Sequence, residues 1–322
     1  RNVVRKTVTI LIDNRNDPPT IVRPNDLAVN ENSAAGTLVG SAFVANDEDV
    51  GDTFTWSLTG TTQFTISSTG QLRVATGAAL NFEALSSITF SVNVEDAGGL
   101  ISFLSVTVAI RDVNEAPSVA AQSRSIPEDA ATTTAVGDAL VGTDIDAGQA
   151  LFWSIVSGDG GKFTLDSVSG QLRVAAALDF EAVRTYSITV RATDNGNPAL
   201  SATGVVTVTV TNVNEAPTIA AQTRSIAENS AVGTNVGAAL TVSDPENDAI
   251  TCFITAGNQN DAFQFTGCQL QVRTQESLNF EDVSSFSLTI AAEDALGLRN
   301  SATVTVTVTN VNEPPTFSAQ NY

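Results

Sequence analysis

The strongest constraint on the fold is a motif that returns about every 100 residues. An asparagine followed by an acidic residue, and by a proline two positions further on, recurs at Asn16, Asn114, Asn214 and Asn312, with spacings of 98, 100 and 98 residues. Self-similarity at a fixed period indicates tandem structural units. We therefore predict three complete repeats, called repeat 1, repeat 2 and repeat 3 below, over residues 18–115, 116–215 and 216–313.

The two ends of the chain resemble parts of further repeats. Residues 1–17 match the end of each repeat, so we expect them to be the last strand and linker of a preceding repeat. Residues 314–322 match the start of a repeat, so we expect them to begin a following one. The sequence opens at Arg1 and shows no secretion leader, and we expect it to be an internal or processed segment of a longer protein.

Hydrophobic residues within each repeat alternate with a period of two. Residues 303–309 read Thr-Val-Thr-Val-Thr-Val-Thr, and similar alternation occurs in segments 90–94, 186–190 and 286–290. This pattern, rich in β-branched residues, is typical of half-buried strands. About seven short strands per 100 residues, separated by turn residues, indicate an all-β antiparallel sandwich with Greek-key connections.

The composition excludes several classes of function. The chain has 35 acidic and 15 basic residues, no histidine and two cysteines. A surface with this excess of negative charge disfavours nucleic acid and anionic membranes as partners. The absence of histidine excludes His-based catalysis and His-ligated metals. No apolar stretch reaches about 18 residues, so we expect no membrane insertion of this segment.

The acidic residues fall at matched positions in every repeat, together with several asparagines. An early glutamate is followed by an acidic pair, a mid-repeat motif, an acid after the penultimate strand, and a polar linker. The early glutamates are Glu31, Glu128 and Glu228, and the acidic pairs are Asp47 and Asp49, Asp144 and Asp146, and Asp244 and Glu246. The mid-repeat residues are Asn81, Glu83, Asp179, Glu181, Asn279 and Glu281, and the acids after the penultimate strand are Asp96, Asp194 and Asp294. The linker residues are Asn14, Asn16, Asp17, Asp112, Asn114, Glu115, Asn212, Asn214, Glu215, Asn310, Asn312 and Glu313.

In this order, these motifs resemble the cadherin repeat, and the resemblance covers essentially the whole chain. The linkers are similar to the family's Asp-x-Asn-Asp-Asn, and the mid-repeat motifs are similar to its Asp-x-Asp and Leu-Asp-Arg-Glu. The resemblance implies immunoglobulin-like sandwiches of the cadherin type, stacked end to end, with calcium ions between successive repeats. Calcium takes 6–8 oxygen ligands from carboxylates, carbonyls and amides, which suits this set of residues.

The resemblance distributes the ligands over four joints: joint 1 before repeat 1, joint 2 between repeats 1 and 2, joint 3 between repeats 2 and 3, and joint 4 after repeat 3. Joint 1 takes Asn14, Asn16, Asp17, Asp47, Asp49 and Asp96. Joint 2 takes Glu31, Asn81, Glu83, Asp112, Asn114, Glu115, Asp144, Asp146 and Asp194. Joint 3 takes Glu128, Asp179, Glu181, Asn212, Asn214, Glu215, Asp244, Glu246 and Asp294, and joint 4 takes Glu228, Asn279, Glu281, Asn310, Asn312 and Glu313.

Some positions depart from the family pattern and lower the expected number of ions. Four asparagines stand where the family has aspartate, and each neutral residue removes one charge from its joint: Asn81, Asn212, Asn279 and Asn310. Because affinity depends on the number of charged ligands, we expect two to three calcium ions per joint, with one weak site as the alternative where charges are missing.

The two cysteines lie in repeat 3. By alignment Cys252 takes the place of Trp56 and Trp153, while Cys268 takes the place of Gly70 and Gly170. Two separate positions that become cysteine together predict a disulfide between neighbouring strands, with two buried thiols as the alternative. A disulfide implies an oxidising, extracellular setting.

The expected function is that of a calcium-rigidified rod in a large, membrane-anchored cell-surface protein, acting in calcium-dependent adhesion. The expected partners are other cadherin-like chains or surface proteins, self-association included. The alternative is a structural shaft or lattice component of an extracellular filament without adhesive activity. Because an active site seldom recurs identically at several joints, we do not expect an enzyme.

Overall fold

The computed structural model describes residue 1 and residues 3–315, and the fold is almost entirely β-structure. Of the predicted start of a following repeat at 314–322, residues 316–322 lie outside the described residues. Within residues 3–17 no strand is assigned, and Ile10 and Ile12 are 79% and 90% exposed. Their counterparts Val108 and Ile110 are buried in the sheet of repeat 1. The last strand of a preceding repeat therefore stays a prediction for this segment.

Each repeat folds into its own set of strands. The strands of repeat 1 are β1 (Thr20–Val22), β2 (Ala28–Asn30), β3 (Val44–Asn46), β4 (Thr55–Thr59), β5 (Phe64–Ile66), β6 (Leu72–Val74), β7 (Ser87–Glu95) and β8 (Ile101–Arg111). Those of repeat 2 are β9 (Gln122–Pro127), β10 (Phe152–Ser157), β11 (Phe163–Leu165), β12 (Leu172–Val174), β13 (Thr185–Thr193) and β14 (Ser201–Thr211).

Repeat 3 adds β15 (Thr218–Ile219), β16 (Gln222–Ala227), β17 (Val242–Ser243), β18 (Thr251–Ala256), β19 (Phe263–Thr266), β20 (Gln269–Val272), β21 (Ser285–Glu293) and β22 (Arg299–Thr309), with 3-10 turns at Gln259–Asp261 and Gln275–Ser277. The predicted all-β class is confirmed.

The same four-stranded sheet recurs in all three repeats, with the orders β2-β8-β7-β4, β9-β14-β13-β10 and β16-β22-β21-β18. The opposite face is made of short pairs such as β1-β3 and β5-β6, and an isolated bridge joins Leu38 to Arg73 of β6. One pair in each four-stranded sheet is parallel, as between β2 and β8. The sandwich is therefore not purely antiparallel. In repeat 1, strand β1 pairs with β3 on one face, and the chain then crosses to the other face, where β2 runs beside β8, the last strand of the repeat.

Three separate hydrophobic cores hold the sandwiches together. The alternation seen in the sequence places one side of each long strand inside, so that Val92, Val190 and Ile290 are fully buried at equivalent positions of β7, β13 and β21. Each core draws its residues from a single repeat. Each repeat therefore buries its apolar surface independently of its neighbours, and the joints lie outside the cores.

Repeat 3 replaces a tryptophan with the predicted disulfide, which is confirmed. Cys252 and Cys268 are bonded, with their Cα atoms 5.0 Å apart. In repeat 2 the buried Trp153 fills this space, and a Cβ atom at Gly170 would lie 3.1 Å from its indole nitrogen. The tryptophan thus leaves room only for glycine at the second position. Once a cysteine replaces the tryptophan, a second cysteine fits where the glycine stood.

Candidate metal centres at the joints

The end of each repeat that leads into the next joint is organised around a buried glutamate. Glu31 is 2% exposed, and its two carboxylate oxygens accept hydrogen bonds from the backbone N–H groups of Phe82 (2.8 Å) and Val113 (2.9 Å). Glu128 and Glu228 make the same pair of contacts in repeats 2 and 3. The glutamate therefore ties the mid-repeat motif to the linker, and in this way it brings the acids of both segments to one place.

The beginning of the following repeat contributes the acidic pair. Within the pair, the backbone N–H of Asp146 donates to Asp144 Oδ1 at 3.0 Å. The second acid then accepts a hydrogen bond from the linker, because the N–H of Glu115 donates to Asp146 Oδ2 at 2.9 Å. Joints 1 and 3 repeat this contact, at 2.8 Å from Asp17 to Asp49 and at 3.2 Å from Glu215 to Glu246. The pair therefore faces the linker across each joint.

A linker asparagine makes the second contact across each joint. The side-chain amides of Asn16, Asn114 and Asn214 donate to Asp96, Asp194 and Asp294 at 2.9, 3.2 and 2.7 Å. Burial alone would raise the pKa of Asp194, but hydrogen bonds from the backbone amides of Leu200 and Gly196 and from Asn114 lower it. The pKa values of Asp96 and Asp294 are lowered in the same way. These three aspartates are thus held as anions.

Carboxylate oxygens converge at three joints, from one loop at joint 1 and from different segments at joints 2 and 3. Four groups have oxygens that all lie within 4.8 Å of one another: Asp47, Asp49 and Asp52 at joint 1; Glu31, Glu83 and Glu115, and also Glu83, Asp112 and Asp146, at joint 2; and Glu128, Glu181 and Glu246 at joint 3. The groups around Asp146 and Glu246 combine residues of two successive repeats. Such a set of hard oxygen donors fits a divalent cation such as calcium.

Other predicted ligands lie at the joints but outside these close groups. Asp17, Asp144, Asp194, Glu215, Asp244 and Asp294 line the cross-joint contacts described above. Asn14 donates to Asp49, Asn310 donates to Glu281, and Glu313 accepts from Asn229. Asn81 and Asp179 accept backbone N–H groups of their own loops, while Asn212 and Asn312 are exposed.

The joints contain buried oxygens that no protein group satisfies. Nine buried side-chain atoms lack a hydrogen-bond partner among the described residues, and all nine lie at joints 1 to 3: on Asp47, Asp52, Glu115, Asp144, Asp146, Gln149, Asn214, Asp244 and Glu246. The ion pairs of the described chain, Arg111–Asp26, Arg273–Asp261 and Arg299–Glu293, involve none of the predicted ligands. Buried carboxylates without a counter-charge are costly, so this arrangement favours a bound cation.

The carboxylates at the joints also disfavour one another's charge. Burial, followed by repulsion from neighbouring carboxylates, raises the pKa of Asp52, Glu83, Asp112, Glu115, Glu215 and Glu246. A nearby positive charge would therefore stabilise the ionised form of each of these six groups.

Asp52 is a residue that the sequence prediction did not include. Its position in repeat 2 holds Gln149, so a search for acids that recur in every repeat passes over it. The only available signal was a third acid close behind the pair Asp47 and Asp49. The structure brings all three carboxylates together.

Comparisons with known proteins agree with this architecture. A family model described as "Cadherin domain" matches residues 122–211 and 222–309, and a model described as "Bacterial Ig domain" matches residues 16–109. Human Protocadherin Fat 1 is 30% identical over 96% of this chain, and rat Protocadherin Fat 2 is 30% identical over 98%. The chain spans 7% and 8% of the length of these two relatives.

Solved structures show the same fold. The crystal structure of mouse Cadherin-23 EC22-24 aligns with a TM-score of 0.69 at 23% identity, covering 92% of this chain and all of that one. The Protocadherin GammaB4 extracellular domain aligns with a TM-score of 0.68 at 28% identity, covering 92% of this chain and 51% of that one.

The family places the chain outside the cell, at the cell surface, which confirms the predicted location. Among the described residues, no helix has the length and apolar character that a membrane crossing requires. The matched residues, the recurring sheet order and the acidic joints lead to one conclusion: the chain belongs to the cadherin family.

Proposed function

We propose that this chain is a calcium-rigidified rod segment that acts in calcium-dependent adhesion at the cell surface. The observation that carries the proposal is the set of nine buried, unpartnered side-chain atoms at joints 1 to 3, most of them carboxylate oxygens. In the part of the chain that the structure describes, no cationic side chain is paired to the predicted ligands. Calcium supplies the missing charge and accepts several oxygens at once. Two to three ions per joint fit the predicted ligand sets.

The proposed mechanism is a clamp between successive repeats. At joint 2, Glu83 and Asp112 come from repeat 1, and Asp146 comes from repeat 2. Without a cation these carboxylates repel one another, and the repulsion favours arrangements of the two repeats that separate them. A bound ion attracts all three and fixes the angle between the repeats. Because the same arrangement recurs along the chain, the joints together stiffen the rod.

The proposed partners are other cadherin-like chains, including copies of the same protein. The chain's similarity to protocadherins supports this part of the proposal, and the chain covers only a small fraction of their length. Analytical ultracentrifugation in calcium and in chelator tests for self-association. A chain that stiffens with calcium but stays monomeric at all concentrations would favour the role of a structural shaft.

The metal-binding part is tested by calorimetric titration of calcium with Asp146→Asn. Asp146 is 6% exposed and has an unpartnered oxygen, and the change removes one charge while it preserves shape. We expect the sites at joint 2 to lose about 10- to 100-fold in affinity, the range seen when groups that support a metal site are changed. Joint 3 should be unaffected. The control is Asp159→Asn in a turn of repeat 2. Equal titrations for both variants would contradict the ligand assignment.

A further inference from the structure

At joints 2 and 3, a linker asparagine contacts the repeat that follows it. Repeat 2 and repeat 3 bind this asparagine differently. In both joints the asparagine Nδ2 donates to the aspartate that follows the penultimate strand. At joint 2 the Asn114 amide also donates to the carbonyl oxygen of Pro198 at 3.0 Å, and its Oδ1 accepts a hydrogen bond from Gln149 Nε2. At joint 3 the Oδ1 of Asn214 is buried without a partner.

The backbone of repeat 2 is also shaped to accept this side chain. Gly196 lies against Asn114, and a Cβ atom at that glycine would overlap the asparagine side chain. Joint 1 has the equivalent contact between Gly98 and Asn16. At joint 3 the aligned residue is Leu296, which is 73% exposed, so the close seat for the asparagine is absent there.

The residue at the position of Gln149 separates joint 2 from joint 1. Joint 1 has Asp52 there, whose carboxylate can accept but, when ionised, cannot donate a hydrogen bond to an asparagine oxygen. In repeat 3, the loop that leads from the first acid of the pair to strand β18 is one residue shorter than the corresponding loop of repeat 2. Joint 2 is thus the joint at which the linker asparagine is fully hydrogen-bonded by protein groups.

We infer that the linker asparagine forms a calcium-independent latch at joint 2, so that removal of calcium opens a hinge at joint 3 and loosens joint 2 less. The latch consists of Asn114, seated on Gly196 and held by Gln149, Asp194 and Pro198. This inference rests on the proposed function, because it describes how joints that calcium stiffens respond when calcium is removed. Gln149 is a positioning residue in this arrangement, and it acts through Asn114.

The expected size of the effect follows from the hydrogen bond that Gln149 supplies. Loss of one neutral hydrogen bond in a protein changes an equilibrium by about 2- to 12-fold. Gln149→Ala should shift the ratio of seated to released Asn114 by that factor. Gly196→Ala should have a larger effect, because the added methyl group occupies the seat itself. Neither change removes a carboxylate or alters a predicted calcium ligand.

The test is electron–electron double resonance between spin labels on noncanonical amino acids, which leave the disulfide intact. Labels at the exposed positions Ser105 and Ser187 report on joint 2, and labels at Ser187 and Ser287 report on joint 3. In calcium, both distance distributions should be narrow. In chelator, the distribution across joint 3 should broaden more than that across joint 2. Gln149→Ala and Gly196→Ala should broaden joint 2 in chelator and leave it narrow in calcium.

The control is Gln171→Ala, which removes a glutamine of repeat 2 that bonds the carbonyl of Gly137, away from the joint. Broadening of joint 2 and joint 3 alike in chelator would overturn the latch and leave the calcium clamp standing. Two narrow distributions in chelator would overturn the hinge at joint 3, and an absence of calcium binding would overturn the proposed function. A fall in calcium affinity in Gln149→Ala would overturn the latch by identifying Gln149 as an ion ligand.

Discussion

The sandwich cores and the joints of this molecule are built on opposite principles. In the cores, residues such as Val92 and Leu288 are completely buried among other apolar side chains of the same repeat. In the joints, buried side chains such as Asp146 and Asp244 carry oxygens that no protein group satisfies. The comparison shows that each repeat buries its own apolar core, whereas joints 1 to 3 bury oxygens that lack a hydrogen-bond partner among the described residues. Folding and rigidity are therefore separable properties here, and the variants below test that separation.

The largest effect is expected from the core alone. Trp153→Ala removes a buried side chain of repeat 2 and should lower the free energy of unfolding by about 3–5 kcal/mol. Denaturant unfolding followed by circular dichroism measures this loss. Calcium binding by the folded protein should be unchanged, because the indole lies outside the joints. The control is Phe152→Ala, whose side chain is 45% exposed. A large change in calcium stoichiometry would show that core and joint are coupled.

The disulfide should matter next, and only for repeat 3. Replacing both Cys252 and Cys268 by alanine opens a loop that spans 16 residues and should destabilise repeat 3 by about 3 kcal/mol in the chain-entropy treatment. Native-state hydrogen exchange, resolved by repeat, measures where the stability is lost. Protection should fall in repeat 3 and stay constant in repeat 1. A loss shared by all repeats would contradict the independence of the three cores.

A smaller effect is expected where core and joint meet. Glu128 is 6% exposed and accepts the N–H groups of Phe180 and Val213. Glu128→Gln places an amide NH2 against one of these donors, and the loss of a charge-assisted hydrogen bond should cost about 1.5–3 kcal/mol.

Unlike the core variants, Glu128→Gln should also weaken calcium binding at joint 3. Denaturant unfolding and calorimetric titration of the same sample separate the two effects. The matched control is Asp159→Asn, which neutralises a half-buried acid of the same repeat that lies outside the joints. If stability falls while calcium affinity at joint 3 is preserved, Glu128 belongs to the core only.

The smallest effect is a dependence on pH whose sign reverses with calcium. The pKa values of Glu83, Asp112 and Glu115 are raised by burial and by neighbouring carboxylates. The assembled joint therefore binds protons more tightly than the released one, and in chelator joint 2 should become less stable as pH rises through these raised values. In calcium, acidification should loosen the joint, since protons compete with the metal for the ligands.

Asp194 does not cancel this trend. Its pKa is lowered, so its contribution to stability is fully present above the ordinary pKa of aspartate and is lost only as pH falls through the lowered value. Label distances across joint 2, followed during an acid titration in calcium and in chelator, measure both directions. The same sign in both solutions would contradict the account of the joint as a carboxylate cluster that calcium neutralises.

Much of the fold could be predicted from the sequence because its signals are repeated. The alternation around Val304, the spacing of the linker asparagines and the paired appearance of Cys252 and Cys268 each indicated a feature that the structure contains. The parallel pairing of β2 could not be predicted, because Ala28–Asn30 is too short to show an alternation and its partner β8 lies about 80 residues away.

The candidate site was predicted less completely, for a related physical reason. Recurrence across repeats identified residues such as Glu31 and Asp146. It did not identify Asp52 and Gln149, because they occupy the same position in repeats 1 and 2 but are different residues. A position at which the residue changes from repeat to repeat carries no repeated signal, although it can distinguish one joint from another. Contacts such as that between Gln149 and Asn114 depend on side-chain geometry that only the structure provides.

The most direct test of the central claim is small-angle X-ray scattering of this chain in calcium and then in excess chelator. We predict a rod with a long, well-defined maximum dimension in calcium, and a more compact and variable average in chelator as the joints loosen. The circular dichroism spectrum should stay the same in both solutions, because the cores do not depend on the ion. Identical scattering profiles in the two solutions would contradict the claim that calcium stiffens the joints.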